Sequence, residues 1–225
     1  MADSFSTRQR LAAEALGSAL LLAAVVGSGI MGERLAGGNV AVALLANTLV
    51  TGAMLFVLIT IFDTISGAHF NPAVSAVAAI QRDITWKMCA AYVVAQVAGA
   101  LIGVAAAHLM FELPVAQVSV RHRSGAAQLF SEFVATFGLI STIAATVRLA
   151  PARVAAAVAC YIAAAYWFTA STSFANPAVT LARSLSDTFV GIRPSDTPAF
   201  ILAQLSGALV AMLFMSWLLS RRITK

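Results

Sequence analysis

Ser66-Gly67-Ala68-His69-Phe70-Asn71-Pro72-Ala73-Val74 ends in a tetrapeptide that returns as Asn176-Pro177-Ala178-Val179, 105 positions later. Each copy opens a short apolar segment, near 67–81 and 172–185. A membrane-spanning helix needs about 20 mostly apolar residues, so neither segment can span. Proline suits the first helical turn, where its missing N–H is not needed. Asparagine just before it is a good N-cap. Asn71-Pro72 and Asn176-Pro177 therefore each read as the start of a half-helix in a re-entrant loop. Non-helical backbone at membrane depth is tolerated only where it is buried in protein or lines a wet cavity.

Six longer apolar stretches surround these segments, over 10–32, 40–62, 85–110, 127–147, 151–170 and 198–220. The 225 residues are 60% hydrophobic and only 10% charged, with a mean hydropathy of +0.90. A soluble domain carries about 25% charged residues, so the lipid bilayer is the expected second environment. The net charge of +5 does not point to nucleic acid, because the basic residues sit in short breaks between apolar runs. The polar opening MADSFSTRQR leads into a run that contains Glu14 and outlasts a signal-peptide core, so it reads as the first span. With both termini inside, Arg8, Arg10, Arg82, Lys87, Arg148, Arg153, Arg221, Arg222 and Lys225 face Arg34, Arg121, Arg123, Arg183 and Arg193 outside. That excess predicts cytoplasmic termini. Cys89 and Cys160 make neither a disulfide framework nor a metal signature and read as free thiols buried in helices. No cofactor and no metal site is expected.

The chain also repeats itself. Ala95-Gln96-Val97-Ala98-Gly99-Ala100-Leu101 returns as Ala203-Gln204-Leu205-Ser206-Gly207-Ala208-Leu209, 108 positions later, and Glu14 is echoed by Glu132, 118 later. Three markers in one order at similar offsets predict a single domain over 1–225, built from half-repeats 1–120 and 121–225. Three spans per half is an odd number, so the second half enters the membrane inverted. The expected fold is all-α: six transmembrane helices and two re-entrant half-helices in an inverted 3+3 repeat. Gly99-x-x-x-Gly103 and Gly27-x-Gly29 read as close-packing positions between helices.

The twin Asn-Pro-Ala motifs in an inverted repeat, with Glu14 and Glu132, resemble the aquaporin and aquaglyceroporin superfamily over essentially the whole chain. Inversion would bring the two half-helix N-termini together near the midplane, each with a positive end of roughly half a charge. Asn71, Pro72 and Ala73 with Asn176, Pro177 and Ala178 would form the pore motifs, the asparagine amides donating to a passing oxygen. Half-helix dipoles would repel cations and protons. The resemblance implies that Glu14 and Glu132 accept hydrogen bonds from the re-entrant loops. It places His69 beside the pore, as a scaffold residue or as pore lining. Asp63 reads as a solvated helix end at the cytoplasmic mouth. His108 and His122 receive no role.

One position departs from water and glycerol channels, whose second motif continues with arginine: here it is Val179. Carried over by spacing, the remaining filter positions are Thr51, Ala164 and Ser173. This predicted selectivity filter is small, without an aromatic or a charged member, and should be wide. It resembles bacterial aquaglyceroporins encoded with arsenic-resistance genes and the metalloid-permeable nodulin-26-like plant channels. The expectation is a passive channel for small neutral solutes: water, glycerol, urea and arsenous acid. The alternatives are a general glycerol and water facilitator, a coupled secondary transporter and a non-conducting membrane scaffold. An intramembrane enzyme is disfavoured, since Ser66 and His69 have no supporting third group. The resemblance further implies a homotetramer, and the compact termini suggest the bacterial inner (cytoplasmic) membrane.

Overall fold

In the computed structural model, which describes residues 5–220, every long apolar stretch becomes a helix. In chain order these are α1 (Thr7–Leu35), α2 (Val40–Ser66), α3 (Pro72–Ile80), α4 (Trp86–Met110), α5 (Ala126–Leu149), α6 (Val154–Phe168), α7 (Pro177–Arg183) and α8 (Thr197–Leu218). Six of them, counting the single 3₁₀ turns that precede α6 and α8, are long and apolar enough to cross a membrane. The order long, long, short, long occurs twice. Arg221, Arg222 and Lys225, which entered the orientation count, lie outside the described residues.

The helix starts follow local chemistry. Ser6 and Gln9 close a reciprocal capping box at α1, Asn39 caps α2 and Thr85 caps α4. Such caps satisfy the orphan N–H groups of the first turn. Gly67 ends α2 in the left-handed conformation at φ 87°, which lets the chain turn back into the protein.

The distribution of polarity is that of a membrane protein. Leu49, Val94, Ile102, Leu202 and Trp217 are each more than 60% exposed, whereas Glu14, Gln96, Glu132 and Gln204 have no exposure. Lipid can take the first group. The second must find its partners inside, because an unpaired polar group in hydrocarbon is expensive. Cys89 is buried, but Cys160 faces outward on α6, which corrects the expectation that both thiols are buried.

α1 packs along α4, and α5 along α8, in equivalent ways. A Cβ at Gly99 or Gly103 would overlap the carbonyl of Ala15 or Ala19, and one at Gly207 would overlap that of Phe133. The glycines of the two repeated heptapeptides thus let helix backbones touch within each half. With no hydrophobic effect between helices in lipid, this close approach is what dispersion needs.

Candidate functional site

The two re-entrant loops are held by two matching cages. Glu14 accepts from Ser66 Oγ at 2.6 Å, His69 N at 2.9 Å, Phe70 N at 2.7 Å and Gln96 Nε2 at 2.8 Å. Glu132 accepts from Phe174 N and Ala175 N, both at 2.9 Å, and from Gln204 Nε2 at 2.6 Å. Gln96 also donates to Ser75 Oγ at 3.0 Å, and Gln204 to Thr180 Oγ1 at 2.8 Å. Each half-helix is therefore tied to its own loop and to the last span of its half. Phe70 (φ 48°) and Ala175 (φ 48°) sit in the left-handed region just before their asparagines. Side chains visit that region at a cost of about 1–3 kcal/mol. The carboxylates bind the N–H groups of those strained residues, which offsets that cost.

The half-helix starts meet head to head. Asn71 Oδ1 caps Ala73 N at 2.9 Å, and Asn176 Oδ1 caps Ala178 N at 3.0 Å and Val179 N at 3.2 Å. Asn71 Nδ2 donates across to Ala175 O and Asn176 Nδ2 to Phe70 O, each at 2.8 Å. An amide nitrogen has two protons. One of each pair bridges the halves, and one remains for the cavity that both asparagines line.

That cavity has a volume of about 660 Å³. It runs from Asp63, Gln81 and Arg148, at the end carrying the described chain ends, past Asn71 and Asn176 to Tyr166, Ser173, Phe174, Val179 and Arg183. His69 lines it too, with Nδ1 3.0 Å from Ser75 Oγ and its ring edge-on to Tyr92.

Ser173 and Val179 stand on the cavity wall, but the other two expected filter residues do not. On α6 the wall is Val154, Val158, Ile162 and Tyr166, a row with a spacing of four. Ala164 lies two positions from that row, on the far side of a helix with 3.6 residues per turn, and is exposed. Thr51 is buried behind Tyr166, whose hydroxyl donates to Thr51 Oγ1 at 3.3 Å. The outer wall accordingly contains two aromatic rings, Tyr166 and Phe174, and the guanidinium of Arg183. These rings and this charge lie outside the expected four-residue filter of Thr51, Ala164, Ser173 and Val179. For Ala164 the carried-over spacing fixed a sequence distance rather than a helix face, whereas Thr51 shares the α2 face of Leu55, Ile59 and Asp63 and has its hydroxyl engaged by Tyr166.

Gln96, Gln204, Ser75, Thr180, Tyr166, Phe174 and Arg183 were missed as site residues. The glutamines stood inside the repeated heptapeptide, so the signal was present. His108, fully buried, links Val115 O and Ser186 Oγ in the loops outside the spans. In the same region Arg123 donates to Gly191 O at 2.8 Å and Ser171 O at 3.1 Å, bracing the second re-entrant loop. Burial brings its guanidinium down to about 10, still well above neutral pH, so it keeps its charge.

Known proteins resemble this chain in sequence and in fold. The aquaglyceroporin AqpS of Rhizobium meliloti (strain 1021) is 58% identical over 217 residues, covering 96% of this chain and 93% of that protein. Aquaporin NIP6-1 of Arabidopsis thaliana is 30% identical over 143 residues, covering 62% of this chain and 45% of that one. The X-ray structure of the aquaglyceroporin from Plasmodium falciparum superposes with a TM-score of 0.72 at 20% identity, covering 94% of this chain and 95% of that chain. The profile of the family described as major intrinsic protein matches residues 1–152. The chain is thus a multi-pass membrane protein belonging to the major intrinsic protein family.

Proposed function

We propose that this protein is a passive channel for small uncharged solutes: water, glycerol, urea and compact metalloid hydroxides such as arsenous acid. The observation that carries the reading is the pair Asn71 and Asn176, cross-bridged and lining one cavity with a donor each to spare. A permeating oxygen would accept there, between two half-helix N-termini, and the positive ends would oppose a cation. Glu14 and Glu132 engage their oxygens with loop and glutamine donors, which argues against proton coupling and for a scaffold role. Likeness to a protein named an aquaglyceroporin supports glycerol and water as permeants.

The finer reading concerns width. Val179 puts an apolar branched side chain beside the second motif, on the cavity that Ser173 also lines. At this position the wall suits a compact hydroxylated solute. On this reading the two half-repeats, 1–120 and 121–225, form one pore per chain, in a homotetramer. Its place is a bacterial inner membrane, with cytoplasmic termini.

Stopped-flow light scattering on proteoliposomes tests the proposal with water, glycerol, urea and arsenous acid gradients, run beside Val179→Arg. The arginine variant should keep water flux and lose at least about tenfold of the larger solutes' flux, as expected when pore diameter and lining donors set selectivity. Unchanged solute selectivity would remove Val179 from the filter. An absence of any flux in the wild type would remove the channel reading itself.

A further inference from the structure

Arg183 is the largest fully buried side chain among the described residues, 1% exposed. It lies at the end of α7, one turn beyond Val179, and residues four apart share a helix face. Its Nε donates to Val190 O. Its Cζ lies 3.3 Å from the centroid of the Phe174 ring. No carboxylate pairs with it among the described residues, and neither terminal nitrogen has a protein acceptor there. Those nitrogens are also absent from the buried atoms that lack a partner, and Arg183 lines the cavity, so their surface faces the cavity. Ser173 lines the same cavity, but its Oγ is buried away from that surface.

A buried charge without a counter-ion is costly. In a membrane protein such a residue faces the interior or a water-filled path and marks function. The Phe174 face supplies partial compensation through cation–π attraction. A second guanidinium, that of Arg123, lies 5.0 Å from the same ring, so the positive charge at this end is doubled. The first half has no counterpart: 105 positions before Arg183 stands Ala78.

We infer that Arg183 is the cation barrier of this pore and the outer donor site for oxygens of a permeating hydroxylated solute. The inference rests on the channel reading above and deepens it. Losing an arginine beside the second motif has not left the outer pore neutral: the charge stands one turn farther out, against an aromatic ring. A guanidinium there sets back cations by Coulomb repulsion in a poorly screened site. Its planar terminal N–H groups offer directional donors, which lysine cannot reproduce.

The test uses the full-length protein in proteoliposomes loaded with a pH-sensitive dye, with sodium and proton leak read beside water flux. Folding of each variant is judged by monodispersity and thermal unfolding in detergent, not by flux. Arg183→Gln removes the charge but can still donate to Val190 O. It should raise cation leak about tenfold or more over wild type. Arg183→Lys should stay cation-tight while glycerol flux shifts. A folded Arg183→Gln that passes water and is as cation-tight as wild type overturns the inference and leaves Arg183 as a brace for Val190. If Arg183→Gln does not fold, Val179→Glu decides: a carboxylate one turn away neutralises Arg183 and should open the leak, whereas Val179→Gln should not. A Val179→Glu channel that passes water without cation leak overturns the inference. Water flux in the wild type tests the channel reading separately.

Discussion

The first re-entrant loop, Ser66–Val74, and the second, Ser171–Val179, are nearly the same machine facing opposite ways. Each has a glutamate binding two backbone N–H groups, a glutamine bridging that glutamate to the half-helix, and an asparagine that caps its own helix and bonds the opposite loop. Ser66 Oγ accepts from Ala68 N, and Ser171 Oγ from Ser173 N, each at 3.2 Å. Apart from an extra Ser66 donor to Glu14 and an extra N–H on the Asn176 cap, the main differences lie in what faces the cavity. His69 in the first loop is replaced by Phe174 in the second, and Ala78 by Arg183. The cage is duplicated because both loops must hold left-handed backbone at membrane depth. The lining diverges because the two ends of a pore meet different tasks.

Removing a cage carboxylate is the strongest way to break this comparison. Glu14→Leu and Glu132→Leu each leave two backbone N–H groups and one amide proton without their acceptor, and Glu14→Leu also frees the Ser66 hydroxyl. At about 1–3 kcal/mol for each orphaned group, either variant should lose 3 kcal/mol or more, by thermal unfolding in detergent. Similar losses confirm equivalent cages. A loss at one end only would show that one loop stands without its carboxylate.

Crowding the helix contacts comes next. Gly99→Leu and Gly207→Leu should each cost about 1–3 kcal/mol, the range for overpacking, because their side chains must push aside a neighbouring backbone. A larger penalty at Gly99 is expected, since Gly103 on the same face already holds α4 against α1.

The smallest effect sharpens the difference rather than the likeness. His69→Phe gives the first loop the residue of the second. It removes the bond to Ser75 Oγ, which keeps its bond to Gln96, so stability should fall by only about 0.5–1.5 kcal/mol. Water flux measured beside it reports whether an aromatic ring at this end narrows the path.

Much of this was legible in the residues alone. The repeated Asn-Pro pairs carry their own physics, a cap followed by a first-turn proline, so the half-helices fall where that chemistry puts them, from Pro72 and from Pro177. The six spans follow from length and apolarity, and α2 and α4 are placed to within a few residues. The filter was harder. It depends on which helix face looks inward, and α6 is apolar all round, so no periodicity separates Ala164 from Tyr166. Arg183 was hidden for a different reason. By position it sits at the end of a short segment, where a basic residue ordinarily meets water, and only the fold shows it folded back onto Phe174. Gln96 and Gln204 were visible as repeats, but not as donors, because their acceptors are 82 and 72 positions away.

The central claim is passive conduction through a path shared by the two loops. Water and glycerol permeability of wild-type proteoliposomes, measured in both directions with and without proton and sodium gradients, tests it most directly. The account predicts fluxes well above protein-free liposomes, linear in the solute gradient, equal in both directions and indifferent to the ion gradients. Fluxes that saturate and follow a proton or sodium gradient, or that do not exceed protein-free liposomes, would contradict it.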